Sequence, residues 1–195
     1  MRLILASSSP RRSELLEMLK VSFEIMPSSM DEKTTFYEKP EQIVMGLSFE
    51  KTYQVAQLEP DAIIIGSDTI VYLNEVLGKP EDKAEAYRML RKLSGKTHDV
   101  YTGIAVICES QKIKRVDYVK TKVDFKDLSE AEINAYIETG EPLDKAGAYA
   151  IQGQGALLVN QIQGDYFSVM GLPLSKLNQI MIDDFRINLL TKEGL

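Results

Sequence analysis

The sequence predicts an α/β fold in which a mixed β-sheet is flanked by helices, and three observations support this. Short apolar runs of strand length alternate with helical patterns along the chain. Two of the strand-like runs, 100–108 and 116–125, are close enough in sequence to form a hairpin. With 44% hydrophobic and 27% charged residues, the composition is that of an ordinary enzyme-like globule rather than a disordered chain.

The N-terminal elements can be read from caps and apolar runs. Residues 3–6 form a short buried strand that ends at a serine-rich turn, and a second short strand is expected near 23–26. Between them, Ser9 as N-cap and Pro10 as the first helical residue predict a helix that ends near residue 20.

The next two elements are a long helix and a long strand. Proline begins a helical pattern over 40–58, with Ile43 and Leu47 expected to face inward. A continuous apolar strand is expected over 61–73, interrupted at 66–69. A glycine inside such a pattern suggests a bulge or the close approach of a ligand.

The remaining elements alternate in the same way. A Ser-x-x-Glu capping box at 129–132 predicts the helix that ends near residue 139. The other predicted elements are a helix at 81–93, strands at 100–108, 116–125, 156–162 and 166–169, and a helix at 173–190. We expect one domain over 1–190, followed by a C-terminal tail at 191–195.

Composition also limits the cellular setting and the partners. The single cysteine, Cys108, excludes an intramolecular disulfide and favours a reducing cytoplasm. No apolar run approaches the roughly 20 residues of a membrane span, so no membrane association is expected. The formal charge of −6 would repel a polyanion, so no nucleic-acid partner is expected and any anion site must be local.

Two adjacent arginines, Arg11 and Arg12, stand in the first turn of the predicted N-terminal helix. The positive end of the helix dipole disfavours cations there, so an external anion would account for them. With the Ser7 and Ser9 hydroxyls and the free backbone N–H groups, they would form a phosphate cradle. The alternative is two solvated arginines at the start of a helix.

Asp68 follows a buried isoleucine run at 63–65 and a Gly-Ser pair. A carboxylate presented at a strand's interruption suits a metal ligand or a general base. The alternative is a turn aspartate that bonds to its own backbone. Asp31 and Glu32 offer further carboxylates in a loop, or are ordinary solvent-exposed acids.

Further candidates lie beside structural breaks. Lys51, Lys79 and Lys145 each have a solvated surface cation as the alternative, although the glycine and proline that flank Lys79 restrict its backbone. Gln152 lies in a glycine-dense loop, 147–155, and its side chain can pair with a base edge. A structural turn explains that loop equally well.

Two other chemistries are excluded. The sequence at 95–97 looks like the end of a P-loop, but residue 90 is Leu where that motif requires glycine. His98 and Cys108 are the only histidine and cysteine, which excludes a zinc cluster of these residues. Because Cys108 sits in an apolar strand, a covalent-thiol mechanism is disfavoured.

Six separated motifs occur in order along the chain: Ser7-Ser-Ser-Pro-Arg-Arg-Ser-Glu-Leu-Leu16, Gly66-Ser-Asp-Thr69, Gly78-Lys-Pro80, Leu93-Ser-Gly-Lys-Thr-His98, Glu141-Pro-Leu-Asp-Lys-Ala-Gly-Ala-Tyr149 and Gly171-Leu-Pro173. Together they resemble the Maf family of nucleoside triphosphate pyrophosphatases, from residue 3 to about residue 190. The fifth motif and its continuation resemble the branch that acts on dTTP and UTP rather than on 7-methyl-GTP.

The resemblance implies a fold like that of the inosine triphosphate pyrophosphatases, with a long mixed sheet, a cleft between two lobes and often a homodimer. It also implies cytoplasmic hydrolysis of a nucleoside triphosphate to the monophosphate and pyrophosphate, dependent on a divalent cation such as Mg²⁺ or Mn²⁺. Phosphoryl transfer of this kind is catalysed mainly by positioning and charge neutralisation and needs no protein nucleophile. A water activated by the metal or by Asp68 would attack the α-phosphorus.

The resemblance further implies roles for individual residues. Asp68 would be the proton acceptor, and Glu32 would assist at the metal, a role that Asp31 could fill instead. The phosphates would be held by Ser9, Arg11, Arg12, Lys51 and Lys79, with Ser7 in the same cradle, and base selection would involve Arg12, Thr69 and Gln152. The competing hypothesis is a nucleotide-binding regulator of septum formation and cell division without turnover.

Overall fold

The computed structural model describes residues 1–29 and 39–194. The strands are β1 (Leu3–Leu5), β2 (Glu24–Ile25), β3 (Ile63–Tyr72), β4 (Val76–Leu77), β5 (Thr97–Cys108), β6 (Ile113–Phe125) and β7 (Val159–Gln163). The α-helices are α1 (Pro10–Met18), α2 (Pro40–Leu58), α3 (Lys83–Leu93), α4 (Glu130–Glu138), α5 (Tyr166–Met170) and α6 (Leu174–Phe185). Short 3₁₀ helices occupy Glu141–Asp144, Ala146–Ala148 and Gly153–Leu158.

These strands form one sheet of mixed direction, which confirms the predicted fold class. Its order within the described residues is β2-β1-β3-β5-β6-β7, and β4 pairs with β3 beside that path. The β1 strand is parallel to both β2 and β3, whereas the β3–β4 and β6–β7 pairs are antiparallel. Parallel strands need a crossover connection, and α1 and α2 supply the crossovers around β1.

Several predicted elements are corrected by the structure. The strand expected at 166–169 is instead α5, where Asp165 accepts hydrogen bonds from the Ser168 backbone N–H at 2.9 Å and from the Ser168 hydroxyl at 2.7 Å. The last helix ends at Phe185 rather than near residue 190, because Arg186 adopts a left-handed conformation with φ +59°. The capping box of α4 is present as predicted.

The inward face of α2 also differs from the prediction. Ile43, which was expected to face the core, is half-buried, whereas its neighbour Val44 is fully buried; Leu47 is buried as expected. Further along the helix, Ser48 and Thr52 are completely buried. Small polar residues on a buried helix face indicate that the helix packs closely against the sheet.

The chain divides into two compact units, each with its own apolar core. The first unit comprises Met1–Asp68, Thr102–Val119 and Gly171–Leu195, and the second comprises Thr69–Tyr101 and Lys120–Met170. The first core includes Ile4, Val55, Ile64 and Ile107. The second includes Leu90, Val100, Phe125 and Ile133 from α3, β5, β6 and α4, together with Tyr149, which follows the 3₁₀ helix Ala146–Ala148.

Within residues 1–29 and 39–194, no helix combines the length and the apolar character needed to cross a bilayer.

Candidate active site

Asp68 lies within β3 and forms an ion pair with Lys51 of α2. Lys51 Nζ donates to Asp68 Oδ1 at 2.5 Å, and the two side chains are only 13% and 11% exposed. Charges with so little access to water are stable only when they are paired. Because Asp68 lies inside the continuous strand β3 rather than in a turn, the alternative of a turn aspartate is wrong.

Glycines on two strands let α2 come close enough for this pair to form. A Cβ atom on Gly66 of β3 would lie 2.0 Å from Thr52 Oγ1, and one on Gly103 of β5 would lie 2.1 Å from the Val44 carbonyl oxygen. The strand pattern at 66–69 is thus uninterrupted, contrary to the prediction. Gly66 does mark a close approach, and the group that approaches it is Thr52 of α2.

The predicted phosphate cradle lies at the carboxyl end of β1. In the parallel β1–β3 register Leu5 is opposite Ile65, and the Ala6 backbone N–H donates to the Ile65 carbonyl at 2.8 Å, directly before Ser7. The Ser9 backbone N–H donates to Ser7 Oγ at 3.2 Å, and Ser9 is the N-cap of α1 with proline next, as predicted.

Arg12 forms hydrogen bonds both to Ser7 and to Gly171, which is far away in sequence but in the same unit. Its Nη1 donates to Ser7 Oγ at 3.1 Å, and its Nε donates to the Gly171 carbonyl at 2.9 Å. Arg11 is half-buried. The structure therefore brings Ser7, Ser9 and Arg12 together, and the arginine is not simply solvated.

The remaining described candidates lie in the second unit. Thr69 is half-buried in β3, directly after Asp68. Lys79 is exposed, and the Gly78 carbonyl beside it accepts a hydrogen bond from the Gly147 backbone N–H at 2.9 Å. This bond ties the Lys79 segment to the glycine-dense loop that carries Gln152.

Two side chains that the sequence reasoning missed hold the Gln152 loop. The Glu141 carboxylate accepts from the Gln154 and Gly155 backbone N–H groups at 3.2 and 3.3 Å. The Tyr136 hydroxyl accepts from the Ala150 backbone N–H at 3.1 Å. Glu141 is the first residue of one of the six motifs that carry the family resemblance, and this position was the sequence feature that could have identified it.

His98, for which the sequence excluded a role in a zinc cluster, is buried in the second unit. Its Nε2 is hydrogen-bonded to Tyr149 Oη at 2.7 Å, and its ring packs edge-on against Phe125 and Tyr149. Burial lowers the pKa of His98 from 6.5 to about 4, while Asp99 and Asp124 act in the opposite direction. Burial also raises the pKa of the Tyr149 hydroxyl, so this pair is neutral near pH 7.

The metal site was predicted at Asp68 and Glu32. Both Glu32 and its alternative Asp31 lie outside the described residues. In the part of the chain that is described, there is no group of three His, Cys, Asp or Glu residues that could hold a metal ion. Mg²⁺ in phosphoryl-transfer sites is typically held by one or two carboxylates together with substrate phosphates, and Asp68 fits that role.

A family model described as Maf-like protein matches residues 2–183. The chain belongs to the Maf-like family. This confirms the resemblance inferred from the six motifs. The Maf-like chain is 52% identical over 177 residues to a protein named dTTP/UTP pyrophosphatase from Bacillus cereus (strain AH187), covering 90% of this chain and 92% of that protein. A protein of the same name from Bacillus anthracis gives the same identity and coverage.

Solved structures with a similar arrangement include two proteins with low sequence identity. The Staphylococcus aureus Ham1 protein is 12% identical, covers 65% of this Maf-like chain and 73% of its own, and has a TM-score of 0.46. A nucleoside-triphosphatase / dITP/XTP pyrophosphatase from Mycobacterium abscessus is 15% identical, covers 66% and 76%, and has a TM-score of 0.44.

Proposed function

We propose that this Maf-like chain is a nucleoside triphosphate pyrophosphatase that hydrolyses dTTP and UTP to the monophosphate and pyrophosphate. The observation that carries the proposal is the buried Asp68–Lys51 pair, a carboxylate and an ammonium 2.5 Å apart, in which Asp68 belongs to the Gly66-Ser-Asp-Thr69 motif. The substrate follows from the 52% identity, over 90% of the chain, to proteins named dTTP/UTP pyrophosphatase.

Substrate binding is assigned to the cationic candidates. A nucleoside triphosphate carries about four negative charges near neutral pH, so binding requires several cations close to its phosphates. Arg11, Arg12, Lys51 and Lys79 are proposed to supply them, with the Ser7 and Ser9 hydroxyls as further ligands. Because the whole chain has a net charge of −6, these cations must overcome a repulsive background.

Lys51 is proposed to change partners when substrate binds. Phosphate oxygens offer its ammonium a second set of anionic partners, which weakens its hold on Asp68. The Asp68 carboxylate then accepts a proton from a water molecule as that water attacks the α-phosphorus. A new P–O bond forms, the bond from the α-phosphorus to the bridging oxygen breaks, and pyrophosphate leaves with that electron pair.

Asp68 is also proposed to bind a divalent cation, Mg²⁺ or Mn²⁺, together with the substrate and with Glu32 or Asp31. Such a cation, when bound, neutralises negative charge on the phosphate oxygens. The Asp68 carboxylate fits this role, because Mg²⁺ in such sites is typically bound by one or two carboxylates together with phosphate oxygens of the substrate.

Base selection is assigned to Arg12, Thr69 and Gln152. The Gln152 amide has both a donor and an acceptor, which suits the edge of a pyrimidine base. Support comes from the anchoring of its loop by Glu141 and Tyr136, because a fixed backbone restricts where the amide can lie.

The proposal extends to the assembly and setting of the enzyme. We propose that residues 1–190 act as one domain, that the enzyme is a homodimer and that it works in the cytoplasm. The single, buried Cys108 is consistent with a reducing compartment. Light scattering during size-exclusion chromatography measures the mass directly, and a value near 21.9 kDa would contradict the dimer.

The test measures pyrophosphate release from dTTP, UTP, CTP, GTP, ATP, ITP and 7-methyl-GTP, with and without Mg²⁺ or Mn²⁺. We expect metal-dependent release that favours dTTP and UTP and falls at least ~100-fold in Asp68→Asn. Asp117→Asn is the matched control, because Asp117 also pairs with a helix lysine, Lys176, at 2.8 Å in the same unit. No release from any nucleotide would favour the regulator hypothesis, and near-normal turnover by Asp68→Asn would contradict its role as the base.

A further inference from the structure

Ser67 is completely buried in the first unit, and its hydroxyl lies between two backbone carbonyls. Its Oγ is 2.7 Å from the Gly103 carbonyl oxygen and 2.8 Å from the Gly171 carbonyl oxygen. A serine hydroxyl has a single proton, so it donates to one of these carbonyls at a time. This one side chain therefore connects β3 to β5 and to the segment that precedes α6.

The Gly171 carbonyl accepts a second hydrogen bond, from Arg12 Nε at 2.9 Å. Gly171 has φ +115°, a conformation that favours glycine, so the direction of this carbonyl depends on the residue type. The same guanidinium donates through Nη1 to Ser7 Oγ at 3.1 Å. With two of its nitrogens held by fixed acceptors, the plane of the guanidinium is defined.

We propose that Ser67 is a positioning residue for nucleotide binding, because through the Gly171 carbonyl it sets the orientation of the Arg12 guanidinium. The proposal rests on the function proposed above, since it takes a triphosphate as the anion that Arg12 binds. It also gives the Gly171-Leu-Pro173 motif a role that neither the sequence nor the reaction had assigned.

The chemistry of arginine explains why orientation matters at this position. A guanidinium binds phosphate through a planar fork of N–H groups, so its affinity depends on the angle of the plane as well as on charge. Ser67 directly precedes Asp68 on β3. The β3 strand therefore carries the Asp68 carboxylate and also, through Ser67 and the Gly171 carbonyl, orients the Arg12 guanidinium.

The first test is a double-mutant cycle with Ser67→Ala and Arg12→Ala. Calorimetry measures the affinity for dTTP that carries a methylene bridge between its α- and β-phosphorus atoms and cannot be hydrolysed. We expect Ser67→Ala to weaken binding roughly tenfold when Arg12 is present and less than about twofold in the Arg12→Ala background. An equal loss in both backgrounds would overturn the proposal.

Ser48→Ala is the matched control. Ser48 is also completely buried in the first unit, but its hydroxyl donates to the Met45 carbonyl of its own helix at 3.0 Å. The substitution removes the same atom without touching the Gly171 carbonyl, so analogue affinity should be unchanged. A loss as large as that of Ser67→Ala would show that any buried hydroxyl has this effect and would contradict the proposal.

A second readout does not depend on the proposed function. In the intact 195-residue chain, the Arg12 Nε–H proton should exchange slowly with solvent in ¹H–¹⁵N spectra, and Ser67→Ala should accelerate that exchange. Unchanged exchange would overturn the proposal even if the enzyme is active. If wild-type protein binds no nucleotide, the proposed function fails, while this readout still decides whether Ser67 controls Arg12. If Ser67→Ala does not fold, Gly171→Ala is used in its place. It strains the backbone at φ +115° and so disturbs the same carbonyl, and it should likewise accelerate the exchange of the Arg12 Nε–H proton.

Discussion

Protonation of His98 should destabilise the folded protein as the pH falls from 6.5 to 4. Burial lowers its pKa from 6.5 to about 4 in the folded chain, whereas the unfolded chain titrates near the ordinary value. The unfolded state therefore takes up a proton before the folded state does, and the free energy of unfolding falls across this window. The stability that neutral His98 contributes is fully present only above about pH 6.5.

The structure gives both the reason for this effect and its size. A protonated imidazole has two N–H donors, and among the residues that the structure describes, Nδ1 of His98 has no hydrogen-bond partner. The full loss, reached below about pH 4, is about 3 kcal/mol. About 2 kcal/mol of it falls between pH 7.5 and pH 5.

Urea unfolding of wild type and His98→Gln at pH 7.5 and pH 5 measures this effect. Glutamine can place an amide near the Nε2 position to bond the Tyr149 hydroxyl and does not titrate, so wild type should lose about 2 kcal/mol more than the variant. Tyr149→Phe is the control, because His98 stays buried and the pH dependence should persist. Equal pH dependence in wild type and His98→Gln would refute the reasoning.

Three further predictions concern packing, the ion pair and the substrate loop. Gly66→Ala should cost about 1–3 kcal/mol of unfolding free energy in chemical denaturation, because its Cβ would lie 2.0 Å from Thr52 Oγ1. Adding Thr52→Ala should recover part of that loss, and no recovery would contradict the contact. Lys51→Met should lower the unfolding free energy by about 3 kcal/mol, because it leaves the buried Asp68 carboxylate without its partner. Adding Asp68→Asn should restore the stability but not the pyrophosphate release. Restored release in the double variant would contradict the assignment of Asp68 as the base. Glu141→Gln, which weakens acceptance of two backbone N–H groups, should reduce the selectivity for dTTP over CTP about fivefold in competition assays, and unchanged selectivity would show that the loop does not need this carboxylate.

Local rules explain which parts of the fold could be predicted from the sequence. The Ser9-Pro10 start of α1 and the capping box of α4 depend on residues within one helical turn. The buried strands are short apolar runs whose composition identifies them directly. The helix at 166–170 was missed because five residues are too few for a period to appear, and the bonds from Asp165 that favour it are not visible in an apolar pattern.

The candidate site was predicted as a set of residues but not as a set of contacts. Asp68 and Lys51 are 17 positions apart on different elements, and Arg12 bonds to a carbonyl 159 positions away. Such contacts depend on strand order and on how closely α2 approaches the sheet. Gly66 carried that information, but a glycine in a strand pattern does not distinguish a ligand from a helix.

The position of bond cleavage is the most direct test of the proposed reaction. Purified protein is incubated with dTTP and Mg²⁺ in ¹⁸O-labelled water, and the products are identified by ³¹P spectroscopy and mass spectrometry. The proposed attack on the α-phosphorus predicts pyrophosphate and dTMP, with the label in dTMP. Label in pyrophosphate would place the attack on the β-phosphorus, and dTDP with inorganic phosphate, or intact dTTP, would contradict the proposed pyrophosphatase activity.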